Sequence, residues 1–311
     1  MKPLKVSLIL LNWNRAGDTI ECLRCLQDVT YENLTIILVD NGSTDGSVDK
    51  IAKLFPNLLI IKNGINLGFA GGHNVGIMHA IRNGADLICL LNNDTVTDSN
   101  FVREMVAIAG EDSSIGILGS KIYYCDRREL IWFGDPIFNP FTGRAKDRSF
   151  HRIEMNESIE PHDVPFVSGC SMMVRKEMIE QVGLLDEHFF CYGEEIDWCI
   201  RAKRAGFRII LVPKSRVYHK VSMTTGGRNQ GITMYYRIRN YLFLIKKHYP
   251  LHPRLLNSLR EILVIMWHIA ALFRLKINKL EGIRFMLLGV KDYHRGVLGQ
   301  MPESYLKRLL I

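Results

Sequence analysis

Residues 34–47 read L-T-I-I-L-V-D-N-G-S-T-D-G-S. An apolar, β-branched run that stops at a carboxylate, Asp40, and passes at once into a cluster of turn residues reads as a buried strand. In an open α/β sheet, ligands bind at the carboxyl ends of such strands, so Asp40 stands where a nucleotide would meet the sheet edge. A strand-ending turn whose Asp only caps the next helix is the plainer alternative.

The same rhythm recurs on either side. Val6–Leu11 is an apolar strand leading into the polar loop Asn12-Trp13-Asn14-Arg15, and Asp18-Thr19-Ile20-Glu21 has capping-box spacing for a helix. After Asp40 comes a helix with Val48, Ile51, Ala52, Leu54 and Phe55 inward, then a strand over Leu58–Ile61. The Gly-rich stretch Asn66-Leu67-Gly68-Phe69-Ala70-Gly71-Gly72-His73-Asn74 opens a helix to about Arg82, and a fourth strand, Asp86–Leu91, ends in Asn92-Asn93-Asp94-Thr95. Strand–helix alternation over about a hundred residues predicts a doubly wound, mostly parallel sheet of the Rossmann-like kind, with helices on both faces.

Beyond residue 110 the pattern changes. Strand-like runs at Ile117–Ile122 and Val164–Val174 flank a Pro- and Gly-rich stretch from Phe133 to Pro165 without clear period, which reads as a long functional loop. Turns follow over Ile179–Phe190, then a helix from Glu194 to Ala205 closed by Gly206, and a last strand over Phe207–Val212. From Met234 the chain reads as helical to its end. The predicted division is a catalytic domain over 1–233, with a nucleotide-binding half (1–110) and an acceptor-binding half (111–233), and a helical, basic-amphipathic appendage over 234–311.

Charge sharpens the view of that appendage. Leu251–Ile311 holds ten Lys/Arg against four Asp/Glu, a balance of +6, while the other 250 residues carry +2. A basic tail on a nearly neutral body fits an anionic surface. Ile262–Phe273 is almost wholly apolar, yet its twelve residues span only about 18 Å as a helix, short of a ~30 Å bilayer core. Arg274, Lys276, Lys279 and Arg284 then interleave with Leu275, Ile277, Leu280, Ile283 and Phe285, the composition of a helix lying in a membrane interface. A helical hairpin packed on protein is the competing reading. So many interleaved apolar residues do not suit a solvated basic arm for nucleic acid. Seven scattered cysteines and the lack of a secretory start predict a reducing cytoplasmic location. Cys22 and Cys25 are spaced C-x-x-C but lack the second pair that a zinc site needs.

Doubly wound topology would bring four segments to one sheet edge: the end of the Asp40 strand, the Gly-rich turn, the end of the Asp94 strand, and the acidic helix start Glu194-Glu195-Ile196-Asp197-Trp198. One carboxylate can bind a ribose or base. A second can hold a divalent cation against phosphates. A third can serve as general base. Those parts suit group transfer from an activated nucleotide.

In order and spacing, V-S-L-I-L-L-N-W-N, L-V-D-N-G-S-T-D-G-S, N-L-G-F-A-G-G-H-N-V-G and L-L-N-N-D-T resemble the family-2 glycosyltransferases of GT-A fold, in their rhamnosyltransferase-like branch. F-C-Y-G-E-E-I-D-W-C-I-R and V-Y-H-K-V-S-M-T-T-G-G extend the likeness to about residue 240. The resemblance implies a nucleotide-sugar pocket lined by Asn12, Asn14, Asp40, Asn41, Gly42, Asn66, Gly68, Phe69, His73, Asn74, Asn92 and Asn93. Asn92-Asn93-Asp94 takes the place of a D-x-D metal motif. With Asn92 where the first Asp would be, Asp94 becomes the main carboxylate ligand of Mg²⁺ or Mn²⁺. Glu195 takes the place of the general base, with Asp197 and Glu194 as alternatives. His219 completes the metal shell, touches the diphosphate, or is structural. Arg239 is read as neutralising the leaving diphosphate, or as a solvated or acceptor-binding residue. Trp198 is read as a sugar platform or as core, and Gly169 as part of the acceptor site. Thr224-Thr225-Gly226-Gly227-Arg228 is read as a Gly-hinged loop over the donor.

The expected function is an inverting, metal-dependent transfer of rhamnose or another hexose, with dTDP-rhamnose favoured and UDP-hexoses open, to a saccharide or lipid-linked saccharide in cell-surface polysaccharide synthesis. The expected setting is the cytoplasmic face of the membrane, peripherally bound, with homo-oligomerisation open. A non-catalytic sugar- or membrane-binding module on this scaffold is the rival from another class. A nucleotidyltransferase would want a Gly-rich loop after the first strand, where this chain has Asn12-Trp13-Asn14-Arg15.

Overall fold

The structure, a computed structural model, describes residues 3–154, 159–220, 230–252, 254–273 and 279–307. The chain divides into two compact units, one built from 1–137, 146–185 and 195–221, the other from 138–145, 186–194 and 222–311. Two short inserts from the middle of the chain belong with the C-terminal helices.

The first unit opens with β1 (Val6–Asn12), α1 (Ala16–Leu26), β2 (Leu34–Asp40), α2 (Ser47–Leu54), β3 (Leu59–Lys62), α3 (Gly68–Arg82) and β4 (Leu87–Asn92). After β5 (Thr95–Thr97), α4 (Phe101–Glu111), β6 (Ile115–Tyr124) and β7 (Ile131–Phe133) come β8 (Pro136–Asn139) and β9 (Arg144–Asp147), which pair with each other. β10 (His162–Asp163), β11 (Ser171–Arg175), α5 (Lys176–Val182), α6 (Glu194–Arg204) and β12 (Arg208–His219) complete the α/β part.

The main sheet runs β10-β12-β6-β11-β4-β1-β2-β3, with β5 on β12 and β7 on β6. β1 pairs in parallel with β2 and β4, β2 with β3, and β6 with β12. β11 is antiparallel to both β4 and β6. Leu8, Ile9, Leu10, Leu38, Val39, Leu90 and Leu91 are fully buried, each contributing roughly 1.5–3 kcal/mol by leaving water. The register sets Asn12 opposite Asp40 and Leu11 opposite Asn92. Three strands thus end their apolar runs together, and their polar ends share one edge.

Three expected elements differ. The strand expected over Val164–Val174 is confined to Ser171–Arg175, because a turn at Ser168 breaks it: Ser171 N donates to Ser168 O at 3.3 Å and Cys170 N to Ser168 Oγ at 3.2 Å. The last strand does not stop at Val212. It shifts register between Val212 and Arg216, around Pro213, and continues to His219, since proline has no N–H for the ladder. The capping box at Asp18 is unused. α1 begins at Ala16, and Asp18 pairs with Arg15 and Lys220 instead.

In the second unit, α7 (Gln230–His248), α8 (Arg254–Leu272) and α9 (Lys279–Arg295) surround a core of Ile238, Leu242, Ile245, Val264, Leu272, Met286 and Tyr293, and α10 (Glu303–Lys307) follows. Phe285, expected on a membrane-facing stripe, is buried against Tyr235, Tyr236 and Met301. Arg274, Leu275, Lys276 and Ile277 lie outside the described residues, as does the Thr224–Arg228 loop.

Candidate active site

The ends of β1 and β2 form one hydrogen-bonded cluster. Asn12 Nδ2 donates to Asp40 Oδ1, Ser43 Oγ and Ser47 Oγ, each at 3.0 Å. Asp40 also accepts from Ser43 Oγ at 2.5 Å and Ser43 N at 3.0 Å. These three bonds leave a carboxylate with acceptor capacity to spare for a base or ribose donor. Asn14 has φ 54° and ties down the same turn, accepting from Thr44 N at 2.8 Å while its own N donates to Ser43 Oγ. Gly42 is required here: its φ is +77°, and a Cβ would lie 2.7 Å from the Ile65 backbone.

Asn41 and Asn66 hold the loops after β2 and before α3 together. Asn41 Nδ2 donates to Asn66 Oδ1 (2.9 Å) and Gly68 O (3.0 Å), and its Oδ1 accepts from Asn63 Nδ2 (3.1 Å) and Leu67 N (3.0 Å). Asn66 Oδ1 also accepts from Gly68 N. A side-chain amide engaged at both ends shapes these loops rather than reaching out from them. Asn74 does the same further on, exchanging two bonds with the Leu185 backbone. His73 is buried, with Nδ1 2.9 Å from Phe69 O and its ring 4.1 Å from the Phe69 ring. Burial lowers its pKa to about 4, against the pull of the Phe69 carbonyl, so the imidazole is neutral.

At the end of β4, Asn93 Nδ2 donates to Thr19 Oγ1 at 2.8 Å and Asp94 is buried. Because β5 pairs with the end of β12, Thr95 sits opposite His219, and His219 Nε2 lies 3.1 Å from Asp94 Oδ1. Lys220 N donates to Asp94 O, while its Nζ reaches Asp18 (3.3 Å) and Glu21 (2.7 Å), fixing this corner to α1. Burial opposes the His219 imidazolium, but the neighbouring Cys170 and Asp94 outweigh it and raise the pKa to about 10. One carboxylate and one imidazole in contact can close on one divalent ion, provided that the ion displaces the imidazolium proton, since only the neutral ring is a ligand. No third His, Cys, Asp or Glu completes a protein-only cluster among the described residues. The donor set thus fits Mg²⁺ or Mn²⁺ only with substrate phosphate oxygens added, the usual habit of such ions.

The acidic helix start resolves into unequal parts. Asp197 is fully buried and pairs with Arg201 at 2.8 Å, whose guanidinium also donates to Val182 O and Leu184 O. Glu194 is buried, whereas Glu195 is half-exposed. A Cβ on Gly169 would lie 3.0 Å from Phe69 Cζ and 3.7 Å from Glu195 Cβ. Phe69, Gly169 and Glu195, all half-exposed, therefore share one rim. The next residue, Cys170, borders His219 and accepts from Asn92 N through its carbonyl. The Gly169-Cys170 step joins the acid at one side to the Asp94–His219 pair at the other. Cys170 escaped the sequence reading, although its adjacency to Gly169 was a usable signal.

Two residues belong elsewhere. Trp198 is fully buried with Nε1 donating to Gly183 O at 2.8 Å, so it is core and offers no face to a sugar. Arg239 is fully buried in the second unit, donating to Gly299 O (2.6 Å), Phe189 O (3.0 Å) and Asn240 Oδ1 (2.9 Å) and lying over the Tyr235 and Tyr236 rings. These carbonyls hold its guanidinium inside the unit.

Relatives bear on this geometry. The chain is 25% identical over 298 residues to the dTDP-rhamnosyl transferase RfbF of Shigella flexneri, covering 94% of this chain and 96% of the relative. It is 27% identical over 287 residues to the N-acetylglucosaminyl-diphospho-decaprenol L-rhamnosyltransferase of Mycobacterium tuberculosis, covering 84% and 92%. Among solved structures, GalNAc-T7 with UDP, GalNAc and Mn²⁺ matches at TM-score 0.63 and 18% identity over 79% of this chain and 48% of that one. The Pyrobaculum calidifontis mannosyltransferase PcManGT with GDP-Man and Mn²⁺ matches at 0.56 and 14% over 98% and 78%. These likenesses establish the GT-A fold. A profile of glycosyl transferase family 2 matches residues 7–183, more than half of the sequence, and the chain belongs to that family of enzymes.

Proposed function

We propose that this glycosyltransferase moves L-rhamnose from dTDP-rhamnose, with inversion, to a saccharide carried on a diphospholipid in cell-surface polysaccharide synthesis. The observation that carries the reading is the bracket around Gly169-Cys170, with half-exposed Glu195 on one side and the Asp94–His219 pair on the other. The two rhamnosyltransferase relatives, each matched over most of its length, support the donor, and the diphospho-decaprenol substrate of one supports a lipid-linked acceptor.

In the proposed reaction Glu195 accepts the proton of the acceptor hydroxyl. The hydroxyl oxygen bonds to the anomeric carbon as the bond from that carbon to the phosphate oxygen breaks, and its electron pair leaves with the nucleoside diphosphate. A divalent cation held by Asp94, His219 and the diphosphate would neutralise the leaving group. Asp40, fixed by Asn12 and Ser43, binds the nucleoside. The test is nucleoside diphosphate release from a panel of nucleotide sugars with Mg²⁺ or Mn²⁺. dTDP-rhamnose is expected to give the largest kcat/KM. A UDP-hexose in its place would overturn the donor assignment, and no release from any donor would return the chain to a binding module.

We also propose that α8 lies along an anionic membrane surface on the cytoplasmic side. Leu255, Leu259, Ile262, Leu263, Met266 and Phe273 are all exposed on or just past this helix, spaced three, four and seven apart as one face requires. The basic balance of 251–311 supports an anionic lipid partner, and seven free cysteines fit a reducing compartment. No helix among the described residues is long and apolar enough to cross a bilayer. Introducing Glu at Leu259, Ile262 and Met266 together should abolish flotation with vesicles containing one quarter phosphatidylglycerol. Unchanged flotation, with a dimer lost on size exclusion, would assign this face to a second copy of the chain.

A further inference from the structure

The chain between β8 and β9 turns through Gly143, whose φ is +69°. A Cβ there would lie 2.3 Å from Ile245 Cγ1, so only glycine lets this turn come so close to α7. Two residues on, Ala145 N donates to the Tyr241 hydroxyl of the same helix at 2.5 Å. Arg144, held between these two fixed points, reaches α8. Its guanidinium carbon lies 4.1 Å from the centre of the Trp267 ring.

That guanidinium is half-buried and has no counter-charge. Its Nε is buried without a hydrogen-bond partner, and among the described residues the side chain makes no ion pair. A second guanidinium is close by. Arg237 is exposed, precedes Tyr241 by one turn of α7, and makes no ion pair among the described residues either. His268 is next to both. Its ring meets those of Tyr241 at 5.1 Å and Trp267 at 4.7 Å. Burial, and then the charges of Arg237 and Arg144, lower its pKa to about 4 against the pull of the Val264 carbonyl. The imidazole is therefore neutral and adds no third charge. Two cations thus gather on an aromatic floor of Trp267, His268 and Tyr241, and a charge taken partly out of water is stable only when paired. The missing member is an anion.

The surroundings say which anion. On α8, Trp267 follows Leu263 by four residues and Met266 by one, and both of those are exposed. Trp267 therefore borders the apolar stripe already proposed to lie on a membrane. Tryptophan and tyrosine concentrate at the headgroup level of a bilayer, and a guanidinium meets phosphate oxygens with two parallel N–H bonds. We infer that Arg144, stacked on Trp267 and joined by Arg237, binds the phosphate of a lipid headgroup. The stripe of α8 enters the acyl layer while the two guanidiniums hold the phosphate at its edge. The inference rests on the membrane reading above and adds to it a built headgroup site.

The test measures binding of the full chain to phosphatidylcholine vesicles that carry either a few per cent polyprenyl diphosphate or one quarter phosphatidylglycerol. Arg144→Met keeps the stem over Trp267 and removes the charge. It should weaken binding roughly ten- to hundred-fold, the scale of a charge-assisted hydrogen bond. A loss confined to the diphosphate vesicles assigns the site to the lipid that carries the acceptor, and a loss on phosphatidylglycerol assigns it to the bulk bilayer. Arg237→Gln, at an exposed position that cannot endanger the fold, should weaken binding to the same vesicles. Arg144→Lys should recover only part of the loss, because a point charge replaces a stacked fork. Melting curves for the Arg144 variants guard against misfolding. Unchanged binding of Arg144→Met to both kinds of vesicle overturns the inference, as does complete recovery by Arg144→Lys, which would leave only a diffuse field. A wild-type chain that binds neither vesicle would instead remove the membrane reading itself.

Discussion

Glu195→Gln is expected to bind donor as the parent does and to lose transfer by about 10²–10⁴-fold in kcat, the usual worth of a general base. The substitution keeps the shape of a half-exposed side chain at the rim with Phe69 and Gly169, so the fold should be untouched. Donor affinity by calorimetry and transfer under saturating donor separate the two effects. The control is Asp197→Ala. Its carboxylate is fully buried on Arg201, and breaking a buried pair by removing one partner costs about 3–5 kcal/mol. That variant should fail by melting, with lost activity tracking lost fold. A folded, inactive Asp197 variant beside an active Glu195 variant would transfer the base to Asp197.

Why the acids differ is written in helix period. Glu194, Asp197 and Arg201 recur at i, i+3 and i+7 on α6, one face of a helix. Glu195 stands off that stripe. The distinction was therefore available from sequence. The strand ends were legible for the same kind of reason: a buried parallel strand needs an unbroken apolar run, and Val6–Asn12, Leu34–Asp40 and Leu87–Asn92 announce themselves.

Arg239 and β7 were not legible, for two separate reasons. Arg239 is bound by the carbonyls of Phe189 and Gly299, 50 and 60 residues away in sequence, and nothing near Arg239 tells a buried guanidinium from a solvated one. β7 is a three-residue strand with a bulge, where no period can develop. The hairpin of β8 and β9 escaped likewise, since four-residue strands joined at Asn139–Gly143 leave too short an alternation to read. The continuation of β12 past Pro213 had the opposite problem. A proline marks a strand end well in general, and here the sheet absorbs it by slipping register and resuming at Arg216. His219 reaches Asp94 only because of that slip and resumption, so the Asp94–His219 contact depends on the irregularity that hid it.

Asp94→Ala is expected to lower metal-stimulated transfer by at least about 10²-fold, the scale on which a transition-state charge partner is worth keeping. The pair is small: Asp94 and His219 at 3.1 Å, with Asn92 in the place of a second acid. Having a single carboxylate, the site should depend on the donor's phosphates to complete its shell. Mn²⁺ should accordingly bind weakly to the protein alone and much more tightly when dTDP is present, a coupling that electron paramagnetic resonance reads directly and without turnover. Asp94→Ala should abolish the coupling while dTDP alone still binds through Asp40 and its cluster. Asn92→Asp should act in reverse, adding an anionic ligand and tightening Mn²⁺ in the absence of nucleotide. Full activity in excess EDTA, or Mn²⁺ binding that ignores dTDP in the parent chain, would sink the assignment. Leaving-group neutralisation would then fall to cations other than a bound metal.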